Sequence, residues 1–433
     1  MVGNRAENLL DGHRTLPVLL ADLAAARTTI HISIFLFFND PIGKEIERVL
    51  VERARAGVKI RILVNLEKTE MGDPFSTGEE EMMEEDPDFP DDAMDVDALA
   101  ERLRAAGIEV LDSNLDFDAE PKTDDPKLCE QARLIKETSR MDAAHVDHRK
   151  LITIDGRVAY CGSANFGAQY LFHVPFDPAI EAHEEADRAR KEKTPEPWWK
   201  WHDGFVRFEG PIARDFDAYF RERWVLDGGD DYGTVTTIGR AGPPSGLPVG
   251  EISLRANQPD NQDNKVREVF LECISEAEKS IFIENPYVYQ PAIIEHLCAA
   301  AQRGVQVDLI VPALKWNDNE FSQDAMQHEY PKLLDAGIRV YEYQNHFTHL
   351  KMATFDERVS IVGSANLNFR SLENDNDFEL VARVEGEEFA RGINAGVRDV
   401  DVPFSRKIEA GKVGFRVRVR DPRTMFLVWR RLL

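Results

Sequence analysis

The pattern His148-Arg149-Lys150, four residues, then Asp155 recurs as His349-Leu350-Lys351, four residues, then Asp356. Each copy is followed at the same offset by Gly-Ser-Ala-Asn, as Gly162 to Asn165 and Gly363 to Asn366. A single His-x-Lys arises by chance in many proteins. Two, each with the same downstream Asp, Gly, Ser and Asn, do not. The pairing constrains the chain to two similar halves that share one site, and a histidine pair suits nucleophile and acid roles.

The halves match elsewhere in the same order. Ala26 to Ile34 resembles Ala277 to Ile283, Arg55 to Ile60 resembles Gln302 to Val307, and Ala106 to Val110 resembles Ala336 to Val340. In each of the last two pairs a glycine (Gly57, Gly107, Gly304, Gly337) stops a helix as a left-handed cap, and an alternating apolar run begins a strand. Helix, glycine and strand in succession predict βα units on a largely parallel sheet. Leu151-Ile152-Thr153-Ile154 and Met352-Ala353-Thr354-Phe355 read as strands leading to turns at Asp155-Gly156 and Asp356-Glu357. Val158 to Cys161 and Val359 to Val362 read as the returning strands. In such a hairpin His and Lys, two residues apart, share a face.

These paired motifs resemble those of the phospholipase D superfamily, and the resemblance runs from about Asn4 to about Val402. Within it the chain is most similar to the cardiolipin synthase and bacterial phosphatidyltransferase branch. The stretches Phe37-Phe38-Asn39-Asp40-Pro41-Ile42-Gly43, Asp203 to Pro211 and Asn366-Leu367-Asn368-Phe369-Arg370-Ser371-Leu372 carry that similarity. It implies two α/β domains of duplicated topology, each with a mostly parallel central sheet flanked by helices, sharing one active site.

The chemistry implied is transfer of a phosphatidyl group from a phospholipid such as phosphatidylglycerol to an alcohol. Lys150 and Lys351 neutralise the phosphodiester, helped by Ser163, Asn165, Ser364 and Asn366. By the family pattern His148 is the nucleophile that forms a phosphohistidine, and His349 is the general acid and base; the sequence itself leaves the order open. Each imidazole needs an acceptor on its other nitrogen. Asp203 is expected for the first half and Asp377 for the second, with Glu379 as a rival to Asp377. Asp155 and Asp356 complete the motifs, and their place in turns points mainly to holding the hairpin. The lysines carry the positive charge, so neither metal nor cofactor is expected. Hydrolysis to phosphatidic acid and action on another phosphodiester, including nucleic acid, are the alternatives within the same chemistry. A scaffold without catalysis is disfavoured because all six motif residues are present.

Composition narrows the choice. Lys and Arg number 53 against 78 Asp and Glu, a formal net charge of −25. So acidic a chain argues against nonspecific nucleic-acid binding, which relies on a field of basic residues. No apolar run approaches the roughly 20 residues of a spanning helix. The opening residues lack a basic segment followed by an apolar one, so no signal peptide is predicted. Cys129, Cys161, Cys273 and Cys298 are widely spaced without a ligand pattern, which fits core packing in a reduced compartment. The expectation is a cytoplasmic protein peripheral to the inner face of the membrane.

The expected organisation is an N-terminal domain (1–226), a Gly/Pro-rich linker (227–250), a C-terminal domain (251–402) and a basic amphipathic segment (403–433). From Arg406 to Leu433 nine Lys or Arg face only Glu409 and Asp421, interleaved with Phe415, Phe426 and Trp429. That mixture suits docking on anionic lipid or packing of a final helix. The distance from the strand-starting glycine to the catalytic histidine is 41 residues in the first half (Gly107 to His148) and 12 in the second (Gly337 to His349). The extra residues, about 112–140, read as a surface decoration or a lid. An acidic stretch (68–97), a charged piece (Phe172 to Pro197) and the cluster Trp198, Trp199 and Trp201 are also peculiar to the first half. The tryptophans suit core packing or an interfacial anchor.

Overall fold

The computed structural model describes residues 3–66, 93, 95–113, 121–130, 133, 146–174, 200–238, 245–257, 264–316, 319–373 and 377–409. Most of the acidic stretch, most of the 112–140 and Phe172–Pro197 extras, Trp198, Trp199 and the basic segment from residue 410 lie outside them.

The first half runs β1 (Arg5–Leu10), α1 (Gly12–Ala24), β2 (Thr29–Ile34), α2 (Pro41–Arg55), β3 (Lys59–Val64), α3 (Val96–Ala105), β4 (Glu109–Asp112), β5 (Leu151–Ile154), β6 (Val158–Gly162), β7 (Gly204–Glu209), α4 (Ile212–Leu226) and β8 (Leu247–Pro248). The second runs β9 (Ile252–Asn257), α5 (Lys265–Glu276), β10 (Ser280–Glu284), α6 (Pro291–Gln302), β11 (Gln306–Pro312), α7 (Glu320–Asp335), β12 (Arg339–Tyr343), β13 (Met352–Phe355), β14 (Val359–Gly363), α8 (Phe369–Leu372), β15 (Glu379–Glu385), α9 (Glu387–Ile393) and β16 (Ser405–Lys407). The sheets have strand orders β4-β3-β2-β5-β6-β7-β1-β8 and β16-β12-β11-β10-β13-β14-β15-β9. Apart from the edge strands β8 and β16, the two orders superpose strand for strand. The chain is a duplication.

Local sequence sets the matching helices. Asp40 caps α2 by accepting from Gly43 N at 2.7 Å, Gln290 caps α6 by accepting from Ile293 N at 2.9 Å, and each helix begins with proline. Proline at the first helical position forfeits only an amide that would lack a helical partner anyway. Gly57 (φ 91°) and Gly304 (φ 94°) follow the two helices, as Gly107 (φ 84°) and Gly337 (φ 92°) follow α3 and α7. These left-handed caps are the ones the sequence predicts.

The sheets are mixed, which corrects the expectation of mostly parallel ones. Among the described strands, β2–β3–β4 and β10–β11–β12 pair in parallel. The other strand-to-strand pairings among them are antiparallel. The reason is connection length: helical crossovers permit parallel neighbours, whereas the tight β5–β6 and β13–β14 turns force reversal. The linker and tail boundaries also shift in their roles. β8 adds to the first sheet from within 227–250, and β16 adds to the second from beyond residue 402.

One apolar layer joins the halves. Leu151, Cys161, Val206 and Trp224 of the first half share a buried cluster with Phe282, Leu350, Val362 and Leu380 of the second. Cys161, Cys273 and Cys298 are buried free thiols, and Cys129 is a partly exposed one. A shared dry core of this kind fixes the halves against one another, unlike the polar, mobile contact of typical linked domains.

Candidate active site

The two hairpins meet along that layer. Asp147 bridges to Phe378 and His202 bridges to Thr348, so each motif histidine is flanked by a backbone link to the opposite half. His148 N donates to Phe378 O at 3.1 Å, and His349 N donates to His202 O at 2.9 Å. Two equivalent seams thus pin the two histidines.

The acids come from across the seam. His148 Nδ1 lies 2.9 Å from Glu379 Oε1, and His349 Nδ1 lies 2.7 Å from Asp203 Oδ2. Each half therefore supplies the carboxylate for the other half's imidazole, a crossing that corrects the half-by-half assignment. Glu379, not Asp377, occupies the orienting position. Asp377 instead receives Arg370 Nε at 2.8 Å and Val146 N at 3.4 Å. Position and partners explain the choice: Glu379 opens β15 and is held by Ser364 and Ser371, while Asp377 precedes the strand and is taken by Arg370.

Ser163 and Ser364 do not stand as free phosphate ligands. Ser163 Oγ donates to Asp203 Oδ1, and Ser364 Oγ donates to Glu379 Oε2. Both hydroxyls are spent fixing the acids. Ser371 adds a third such bond, with Oγ 2.6 Å from Glu379 Oε1. Asn165 accepts from Leu36 N through Oδ1 at 3.2 Å, which commits that oxygen and leaves its N–H groups as the donors on offer. Asn366 N donates to Ser371 Oγ at 3.2 Å, and its Oδ1 is buried without a hydrogen-bond partner. Gly162 and Gly363 are required beside these serines: a Cβ would sit 2.3 Å from Gly204 O and from Leu380 O respectively.

Lys150 and Lys351 are both buried. Lys150 Nζ donates to His148 O at 2.8 Å. Lys351 Nζ donates to His349 O at 3.0 Å and also lies 2.8 Å from His349 Nε2. The halves differ here, because His349 Nε2 is held by its own lysine and no equivalent contact links Lys150 to His148 Nε2 among the described bonds. Burial, then Lys351 alongside, pushes Lys150 down to about 7. Burial pushes Glu379 up to about 7. Burial and Lys351 press His349 down to about 4, and burial with Lys150 and Lys351 holds His148 well below its usual range. Both imidazoles are therefore neutral at pH 7, with Nδ1–H donated to an acid and Nε2 carrying a lone pair.

Aromatic rings wall the pair. Phe35 meets the His148 ring edge-on at 5.3 Å. Trp201, Phe347 and Tyr170 lie 5.2, 5.9 and 5.9 Å from the His349 ring. Trp201 is thus a buried wall of the site and not an interfacial anchor. Phe35, Tyr170 and Phe347, with the role of Ser371, escaped the sequence reading, whereas Trp201 follows its core-packing alternative. The motif Asn366 to Leu372 contained the signal for Ser371, since Asn368 caps α8 by accepting from Ser371 N at 2.9 Å and so fixes that serine's place.

Asp155 and Asp356 lie at the far ends of β5 and β13, away from the imidazoles. Asp155 accepts from Arg27 N, Thr28 N and the Thr28 hydroxyl at 2.9, 2.8 and 2.8 Å. Asp356 accepts from Glu278 N, Lys279 N and Ser280 N at 3.0, 2.7 and 2.9 Å. Each carboxylate ties its turn to the start of the neighbouring strand, β2 or β10, while itself at φ 53° or 52°. That placement removes both from the catalytic set and makes them structural.

The sequence matches the family described as cardiolipin synthase, PLD-like domain, over residues 19–174 and 270–398. It is 26% identical over 366 residues to the cardiolipin synthase of Geobacillus kaustophilus, covering 84% of this chain and 60% of that protein. It is 27% identical over 424 residues to the probable cardiolipin synthase YwiE of Bacillus subtilis, covering 96% of this chain and 69% of that one. The chain thus spans less than two thirds of the length of the Geobacillus relative. Its fold is similar to that of phosphatidylserine synthase from Haemophilus influenzae, with a TM-score of 0.58 at 12% identity over 99% of this chain and 93% of that one.

Proposed function

The chain belongs to the cardiolipin synthase, PLD-like domain family, and on that premise we propose that it transfers a phosphatidyl group from phospholipid to an alcohol through a phosphohistidine on His148. The observation that carries the reading is the crossed pair of imidazoles, each held by an acid of the other half beside a buried lysine.

The lone pair of His148 Nε2 attacks phosphorus while Glu379 holds the Nδ1–H. As the N–P bond forms, the imidazole becomes cationic, and the Glu379 carboxylate stabilises it. The bond from phosphorus to the leaving alkoxide breaks, and that oxygen takes a proton from Nε2 of protonated His349. In the second step neutral His349 removes the acceptor's hydroxyl proton, the alcohol oxygen attacks phosphorus and the N–P bond breaks. Lys150, Lys351 and the Asn165 amide stabilise the charge on the non-bridging oxygens. The Lys351–His349 contact supports this division of labour: it occupies the lone pair that His349 would need as nucleophile, and an arriving phosphodiester draws Lys351 away. Anion binding also favours protonated His349, which the acid role requires. The aromatic wall around His349 favours transfer over hydrolysis, because it limits water at the group that activates the acceptor.

Among the described residues no helix is long and apolar enough to cross a membrane. We read the basic and aromatic residues of 406–433 as the contact with an anionic bilayer, on composition alone. Deleting residues 415–433 should weaken sedimentation with phosphatidylglycerol vesicles; unchanged sedimentation would remove that reading. Lipid product analysis tests the activity. On phosphatidylglycerol vesicles the expected product is cardiolipin, absent for His148→Ala and for His349→Ala. Phosphatidic acid alone would make the enzyme a hydrolase, and turnover only of oligonucleotides would move it to another substrate class.

A further inference from the structure

Behind His349, on the side away from the imidazole pair, lies a second polar cluster that the reaction does not use. His202, Glu284 and Asp401 are all buried, 4%, 0% and 1% exposed, with ligand-capable atoms within 4.8 Å of one another. His202 Nδ1 lies 2.7 Å from Asp11 Oδ1. His202 Nε2 lies 3.1 Å from Asp401 Oδ2 and 4.0 Å from Glu284 Oε1. Glu284 Oε1 accepts from the Thr348 hydroxyl at 2.5 Å, whereas buried Glu284 Oε2 meets no donor, and the Glu284 carboxyl faces that of Asp401.

Three carboxyl groups surround one imidazole: Asp11 on Nδ1, and Asp401 and Glu284 on the Nε2 side. Buried carboxylates that face one another must share protons or a cation. The backbone points the same way. Asp11 takes φ 62° instead of capping α1, and its side chain goes to His202.

We infer that His202 Nε2, Glu284 and Asp401 bind one divalent transition-metal ion of the zinc class, with Asp11 orienting His202 through Nδ1. A carboxylate on the second nitrogen of a ligating histidine is the arrangement metal sites favour, because it fixes tautomer and ring. One nitrogen and two carboxylate ligands suit zinc or its first-row neighbours. At zinc bond lengths neighbouring tetrahedral ligands stand about 3.3 Å apart; His202 Nε2 is 3.1 Å from Asp401 and 4.0 Å from Glu284, and all three ligand atoms lie within 4.8 Å of one another, so the carboxylates draw together on the ion. The site draws on both halves: His202 and its orienting Asp11 come from the first, Glu284 and Asp401 from the second. The ion is therefore a staple across the domain seam. Through the His202–Thr348 bridge it stiffens the strand ends that carry Asp203 and His349, without touching substrate.

The test uses the full chain, stripped with chelator and dialysed with zinc and then against metal-free buffer. Metal content by mass spectrometry should reach one zinc per chain for wild type and for His148→Ala, whose lesion lies in the other imidazole. Glu284→Gln and Asp401→Asn should retain zinc at least tenfold more weakly, with far-ultraviolet circular dichroism unchanged. Cobalt substituted for zinc should give visible d–d absorption in wild type that Glu284→Gln lacks. Zinc should raise the thermal midpoint of wild type and not of Glu284→Gln. Wild type that retains no zinc, or variants that retain as much as wild type, would overturn the inference and leave the cluster holding shared protons.

Discussion

His148 and Glu379 lie 231 residues apart in sequence, yet Nδ1 of one is 2.9 Å from Oε1 of the other. Asp203 and His349 repeat the relationship in the opposite sense at 2.7 Å. Neither half alone pairs its motif imidazole with a carboxylate. Duplication here therefore does more than supply two copies of a motif, because each copy is unfinished until the other arrives.

Glu379→Gln keeps the shape of the side chain but removes the charge that stabilises the phosphohistidine. Its kcat should fall by about 10²- to 10⁴-fold with a much smaller change in KM. Asp377→Asn should leave most of the activity, since that acid serves Arg370. The reverse pattern in steady-state kinetics would restore Asp377 as the orienting acid.

Ser364 separates an orienting role from a phosphate-binding one. Its hydroxyl lowers the pKa of Glu379, which burial otherwise raises. In Ser364→Ala the acid limb of kcat/KM should move to higher pH, and inhibition by inorganic phosphate should be little changed. A weakened phosphate affinity with an unmoved pH profile would assign the serine to substrate.

The pH profile follows from two groups with opposite requirements. Glu379 must be ionised to hold His148 Nδ1–H, and burial raises it to about 7, so activity falls as pH drops through that value. Lys150 must be protonated to meet the phosphodiester, and burial beside Lys351 lowers it to about 7, so activity falls as pH rises through it. kcat/KM should be bell-shaped with a maximum near neutrality, and the two limbs belong to the coupled set. Bound phosphodiester favours protonated Lys150, so the basic limb of kcat should lie at higher pH than that of kcat/KM. A flat kcat/KM from about pH 5 to about pH 9 would contradict this electrostatic account.

Asp155→Asn probes the turn. Asparagine tolerates the left-handed backbone, but it has one carbonyl oxygen in place of two carboxylate oxygens for the amides of Arg27, Thr28 and Thr29. Denaturant unfolding should show a loss of about 1–3 kcal/mol. The folded variant should lose far less kcat than Glu379→Gln. An equal kinetic loss without destabilisation would return Asp155 to the catalytic set.

What could be read from the sequence was local in kind. The four hairpin strands fall where the short apolar runs before and after Asp155 and Asp356 put them, because such runs and left-handed turn residues act within a few positions. The helix-ending glycines are legible for the same reason. The crossing of the acids was not, since nothing near Asp203 or Glu379 says which imidazole will face it across the seam. Ser163 and Ser364 misled in a related way: a hydroxyl beside a catalytic motif reads as a ligand until its nearest acceptor is known. The full extent of antiparallel pairing was hidden because β1 joins β7, and β9 joins β15, over long sequence separations. His202, Glu284 and Asp401 come from three distant segments and carry no spacing at all.

The most direct test of the two-half site is to trap its covalent intermediate. Rapid quenching at alkaline pH, followed by peptide mass spectrometry, should find the phosphatidyl adduct on His148 during turnover of phosphatidylglycerol. The adduct should disappear in His148→Ala and form poorly in Glu379→Gln. An adduct on His349, or full labelling of His148 when Glu379 is replaced, would contradict the crossed arrangement and its division of roles.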